Sequence, residues 1–178
     1  MKIVTFFIAC LFFGIQLFAQ NFLELINKHR KSLRITTLTI DSTLTRMARH
    51  HTAYLTSLKI EPTHTEDISV DGMITLKELD DRFNYYSSEI STTICWSECL
   101  SYFKSKSIQP NESYLRHFKN LLNSTPHREI IEDPLITKIG FSESFYQQTT
   151  IDSAIYKGRL ITGKNTYNVY TITVCFGK

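Results

Sequence analysis

Three residues have types that can do chemistry together: His64 in "EPTHTED", Glu98 in "WSECL" and His127 in "NSTPHREII". Two neutral imidazoles and a carboxylate can hold a borderline divalent ion such as zinc and leave a position open for water. With His64 and His127 on the ion and Glu98 as base on its water, the set would support metal-assisted hydrolysis of a peptide or ester. Spacing alone does not bring them together, because they are dispersed rather than set as the short His-x3-His of a helical metalloprotease. The plain alternative is that each is a locally hydrogen-bonded polar residue. For His127, Pro126 suits the first helical position and Ser124 or Thr125 can cap, which explains the stretch except for the choice of histidine.

Other chemistries have less support. No Gly-x-Ser-x-Gly elbow is present, so a serine hydrolase has no anchor. Cys95 or Cys99 with His127 would make a thiol nucleophile, but the adjacent Glu98 raises a thiol pKa and works against the thiolate. Cys95, Cys99 and Cys175 follow the leader described below, so at most one internal pair can close. Cys95 with Cys99, or Cys99 with Cys175, are both open. A lone C-x3-C is poor evidence for structural zinc, which usually takes four ligands.

The first 20 residues, "MKIVTFFIACLFFGIQLFAQ", place Lys2 before an apolar run to Ala19 and read as a cleaved secretory signal peptide. The run barely reaches the roughly 20 apolar residues of a bilayer span, and no basic stop follows, so no stable membrane span is expected after cleavage. About 158 residues then remain, 21–178, the size of one domain. Without Lys2 the balance is 19 basic against 17 acidic residues, a small and dispersed excess that implies no nucleic-acid partner.

The elements that must position the candidates follow from periodicity. Phe22, Leu25, Ile26 and His29 share a helical face in "FLELINKHRKS". After the connection "LRITTLTID", Asp41 is a good N-cap for a helix whose stripe is Leu44, Met47, Ala48, His51, Leu55 and Leu58. His51 on that stripe reads as a core-edge histidine. Asp71-Gly72 marks a turn, Thr75 with Glu78 suggests a capping box, and His64 falls on a loop. "STTICWSECLSYF" could be strand or helix. "NESYLRHFKNLLNS" is a helix with Tyr114, Leu115, Phe118, Leu121 and Leu122 on one face. "TKIGFSESF", "TTIDSAIYKGRLIT" and "YNVYTITVCFG" read as strands, the last with Tyr170, Ile172, Val174 and Phe176 on one face and Thr171, Thr173 and Cys175 on the other. Helices early and strands late predict an α+β fold with a mainly antiparallel sheet.

The order of these segments resembles the CAP superfamily (cysteine-rich secretory, antigen 5 and pathogenesis-related proteins), especially its bacterial secreted single-domain branch. "LELINKHRKS" precedes "LTIDSTLTRMARHHTAYL", which is similar to the family's acidic residue and A-x-x-H-A-like helix. His64, then Asp71-Gly72, then Arg82 resembles the branch's His, Asp-Gly, Arg progression. "WSECLSYF" stands where the family has Gly-Glu-Asn. "HFKNLLNSTPHREIIEDPLITKIGFS" resembles its Trp-x-x-Ser-Pro-Gly-His-Arg segment and Ile-Gly strand, and the chain closes on an aromatic strand ending in Phe-Gly.

The resemblance implies an α-β-α sandwich with a central cleft lined by His64, Glu98 and His127. Departures are Ser97 and Cys99 around the glutamate, leucine near the expected tryptophan, Pro126 before the histidine, and no clear match to the second glutamate of eukaryotic members. It implies a secreted or periplasmic binding module that takes a small molecule, lipid, glycan or cell-surface component, with a divalent metal such as zinc as the candidate cofactor. Fold alone fixes no activity. The rival is the metal-assisted hydrolase with Glu98 as its catalytic base.

Overall fold

A computed structural model describes residues 22–87, 93–107, 110–156 and 159–178. The expected leader, with Cys10, lies outside them. Helix α1 covers residues 22–32. It is followed by β1 (Thr39–Ile40), α2 (Ser42–Leu58), α3 (Leu79–Tyr86), β2 (Cys95–Ser105), α4 (Pro110–Asn123), α5 (Thr125–Glu132), β3 (Lys138–Tyr156) and β4 (Arg159–Gly177).

The sheet has the order β1-β3-β4-β2. β1 runs parallel to β3, whereas β3 with β4 and β2 with β4 are antiparallel. The sheet is therefore mixed but mainly antiparallel, and the α+β expectation holds. On one face α1, α4 and α5 bury Phe22, Ile26, Tyr114, Leu121 and Ile131 against Cys99, Ile139, Phe141, Ile172, Val174 and Phe176. On the other, α2 buries Leu44, Met47 and Ala48 against Cys175, with Leu79, Phe83 and Tyr86 of α3 packed beside them. These are the two faces that alternation along the last strand separates.

Local signals explain several boundaries. Asp41 Oδ1 accepts from the Thr43 and Leu44 N–H groups, both at 2.9 Å, so two of the free donors at the start of α2 are satisfied by one side chain. Gly140 lies directly under this helix. A Cβ there would stand 2.1 Å from backbone atoms of both Leu44 and Thr45, so only glycine lets α2 rest on β3.

Other elements differ from the sequence expectation. The ambiguous "CWSECLSYF" stretch is strand, because its residues pair with β4 from Cys95 to Ser105 across a register irregularity at Cys95/Ser97. The three expected C-terminal strands are two strands of 19 residues each, since their Gln and Thr stretches continue the ladder. At α3 the N-cap is Glu78 rather than Thr75, and the Asp81 carboxylate accepts from the Glu78 N–H at 3.0 Å. In α4 the buried face carries Ser113, Tyr114, His117 and Leu121, while Leu115 is exposed.

Candidate functional site

His64 sits on the loop between α2 and α3, and two fixed points hold that loop. The Glu66 N–H donates to the Lys77 carbonyl at 3.0 Å, and the Ile68 N–H donates to the Tyr54 hydroxyl at 3.1 Å. Glu98 lies on β2, opposite Cys175 of β4, and its carboxylate is buried on the α2 side of the sheet. The His64 Nδ1–H donates to Glu98 Oε1 at 3.1 Å. The loop and the strand thus meet at one carboxylate.

Arg82 of α3, fully buried, completes the arrangement. Its Nη2 donates to both oxygens of Glu98 at 3.0 Å and to the His64 carbonyl at 3.1 Å, while Nη1 donates to the Leu76 carbonyl at 3.3 Å. One guanidinium therefore neutralises the carboxylate and fixes the backbone carrying His64. The imidazole, 58% exposed, keeps its Nε2 for a ligand while its Nδ1–H is engaged by Glu98.

Behind this pair lies a second buried carboxylate, Glu66. Its Oε2 accepts from His50 Nε2 at 3.1 Å and from the Leu76 N–H at 3.0 Å, and its Oε1 accepts from His51 Nδ1 at 3.0 Å. Burial opposes ionisation of Glu66, but the combined bonds from His50, His51 and Leu76 outweigh it and hold the carboxyl at about 2. The Tyr86 hydroxyl donates to His50 Nδ1 at 3.0 Å, and His51 Nε2 donates to the Thr63 carbonyl at 2.6 Å. The chain Tyr86, His50, Glu66, His51, Thr63 is a continuous polar wall behind the His64 loop.

His127 is half-buried at the start of α5, where Ser124 is the N-cap and Pro126 lies in the first turn. Its pKa is lowered first by burial and then by the charge of His64. The charge of His64 is thus felt at His127. Among the described residues the His127 ring has no hydrogen-bond partner. Sequence reasoning had named His64, Glu98 and His127, and had quoted Arg82 only for its place in a motif. It missed Glu66 and His50, although Glu66 stands two positions after His64 and His50 precedes the striped His51.

The expected zinc set of His64, His127 and Glu98 does not fit the donors as they stand. Both oxygens of Glu98 are taken by Arg82, and among the described residues no group of three or more His, Cys, Asp or Glu side chains is placed to hold a metal ion. Glu98 stands instead as the partner that fixes the tautomer and orientation of His64.

The cysteines are free and divided between the faces. Cys99 is buried with the α1–α4–α5 core, whereas Cys175 lies under α2 with Cys95 packed against the same cluster. Burial first, then the charge of Glu98, pushes the Cys95 and Cys99 thiols up to about 12. That removes the thiolate a nucleophile would need.

One further polar cluster lies on the other face. His117 Nδ1 stands 3.0 Å from Ser101 Oγ, and its Nε2 lies 3.2 Å from Glu143 Oε1 without the alignment of a hydrogen bond. Ser113 donates to the other Glu143 oxygen at 3.0 Å. His117 is fully buried and Ser101 nearly so, which closes this serine, histidine and glutamate to any substrate.

The α+β fold with its mixed four-stranded sheet is consistent with the CAP domain. The model of the cysteine-rich secretory protein family, CAP, matches residues 23–151, and the chain belongs to that family. Among solved structures it is similar to an outer surface protein of Borrelia burgdorferi, at 21% identity and a TM-score of 0.53, over 90% of this chain and 92% of that one. It is also similar to an extracellular protein containing an SCP domain from Bacillus anthracis, at 15% identity and a TM-score of 0.49, over 86% of this chain and 39% of that one. Among curated proteins none matches the chain.

Proposed function

We propose that this CAP-family protein is a secreted or periplasmic binding module. Its ligand, a small molecule, lipid, glycan or cell-surface component, engages His64 and His127 at the edge of β2. The observation that carries this reading is the clamp of Arg82 on both oxygens of Glu98, which turns the carboxylate from a base into an orienting group for His64. A hydrolase built on Glu98 would need a carboxylate oxygen free to meet water, and both oxygens are engaged by Arg82. Secretion is supported by the leader-like residues 1–20 and by the similarity to an outer surface protein of Borrelia burgdorferi. Among the described residues no helix is long and apolar enough to cross a membrane.

Glycan and lipid arrays, probed with the wild type and with a His64→Ala, His127→Ala double variant, test the reading. Retention of an array component by the wild type and its loss in a folded double variant is the expected result. Zinc titration by calorimetry runs alongside, because tight binding of zinc at pH 7 would mean that Glu98 leaves Arg82. Turnover of peptide or ester substrates that disappears in Glu98→Gln would replace the binding module with the hydrolase.

A further inference from the structure

The hairpin of β3 and β4 outruns the rest of the sheet. β2 ends where Ser105 meets Asn168, yet β3 and β4 continue to pair from Gln148↔Tyr167 to Tyr156↔Arg159. Those nine pairs make a two-stranded ribbon on the order of 30 Å long, at about 3.3 Å per residue. A ribbon of this kind has no core of its own, and its described side chains lie mostly in solvent.

Its far end is nevertheless apolar. Ile155 and Leu160, directly paired, are 79% and 70% exposed, and Ile151 on the same face is 69% exposed. Ile161, 52% exposed, belongs to the opposite face, since it is the strand neighbour of Leu160. A protein groove covers one face of a ribbon. Apolar side chains on both faces of a tip suit a medium that surrounds it. The charge of the segment points the same way: residues 148–167 carry Lys157, Arg159 and Lys164 against a single acid, Asp152. Arg159 and Lys164 are exposed beside the isoleucines.

We propose that the tip of this ribbon docks into the interface of an anionic lipid bilayer. Ile151, Ile155, Leu160 and Ile161 enter the boundary between headgroups and acyl chains, while Lys164, level with Ile151, and Arg159, in the last pair of the ribbon, carry their charges back to the phosphates on long side chains. Aliphatic tips with flanking cations partition in this way because buried apolar area and attraction to anionic lipid add. The ribbon would hold the domain at a distance from the surface, leaving the His64 and His127 edge open. This docking is independent of the ligand proposed for that edge.

Trp96 is the only tryptophan, so Trp96→Phe with Ile155→Trp places a single reporter at the tip of the full chain. Vesicles containing phosphatidylglycerol should shift its emission to shorter wavelength, and brominated acyl chains should quench it. Arg159→Glu and Lys164→Glu should each weaken partitioning onto those vesicles about fivefold, with a smaller effect on pure phosphatidylcholine. Should the reporter variant fail to fold, hydrogen exchange of the wild type keeps the question open to refutation: peptides within residues 148–167 must gain protection when anionic vesicles are added. Unchanged emission, or unchanged exchange, overturns the proposal. A shift that grows with protein concentration in lipid-free buffer also overturns it, in favour of a second copy of the chain.

Discussion

Arg82 and Glu98 form a buried ion pair in which one guanidinium nitrogen reaches both carboxylate oxygens at 3.0 Å. Removing either partner leaves a charge with no water to solvate it. Arg82→Met is therefore expected to destabilise the protein by about 3–5 kcal/mol, because the Glu98 charge is then uncompensated. Urea unfolding checks this, and the double variant Arg82→Met, Glu98→Gln should recover part of the loss. The Glu98→Gln single variant closes the cycle, and a double-variant loss equal to the sum of the two single losses would mean that the pair carries no coupling.

Acid should weaken the fold through Glu66. Its carboxyl, held at about 2 against an ordinary value near 4.5, is more acidic folded than unfolded. Its contribution is therefore complete above about pH 4.5 and is lost as the pH falls through about 2. The size is of order 3 kcal/mol, at about 1.4 kcal/mol per pH step. Glu66→Gln should flatten the stability profile across that window, as followed by thermal unfolding at stepped pH.

His117 pulls stability in the same direction but at milder pH. Burial lowers its pKa, only partly offset by Glu143, so the unfolded chain binds the proton more readily than the folded one. Stability should begin to fall as the pH drops below about 6.5, the ordinary histidine value, and continue to fall until the folded ring titrates. His127 adds to this slope, its pKa being lowered by burial and by His64. Titration of the imidazole signals by NMR should find both rings less protonated than an exposed histidine at the same pH.

Gly140→Ala should be among the most damaging small substitutions in the chain. The added methyl would meet the backbone of Leu44 and Thr45, which cannot move aside as a side chain can. Displacement of α2 from β3 would also break the bond from Thr52 Oγ1 to the Ser142 carbonyl, now 3.0 Å. A lowered thermal midpoint with His51 losing its amide protection is the expected pair of observations. By contrast, Gly163→Ala on the ribbon, where a Cβ meets nothing within 4 Å, should be nearly silent.

What the sequence made legible is what adjacent residues decide. The Asp41 cap and the inward stripe of α2 depend on spacings of three and four, and the alternation of the last strand depends on a spacing of two. His51 could be assigned to that stripe, but its partner Glu66 could not, because the loop must first fold back over the helix. Arg82 escaped for a similar reason: its bonds to Glu98 and to the His64 carbonyl join three segments whose meeting no local pattern encodes. In α1 the stripe suggested His29 as the inward residue, yet Arg30 is the one fully buried. A guanidinium is costly to bury, and only the carbonyls that surround it in three dimensions make the position tolerable. The β2 stretch stayed ambiguous because its register irregularity breaks the alternation that would have marked a strand.

The surroundings of Arg30 set the order in which the site can be assembled. Its side chain donates to the carbonyls of Thr36, Ile131, Asp133 and Ile136, so the end of α5 is tied to a residue about a hundred positions earlier. His29 adds a contact of 2.9 Å to Glu132. The first helix is made early by the ribosome but must wait for α5 before its cation is solvated by the protein. Until that long loop closes, the helix bearing His127 lacks its bonds to the first helix. A protease that clips within the first helix would therefore loosen the seat of α5, about a hundred residues from the cut.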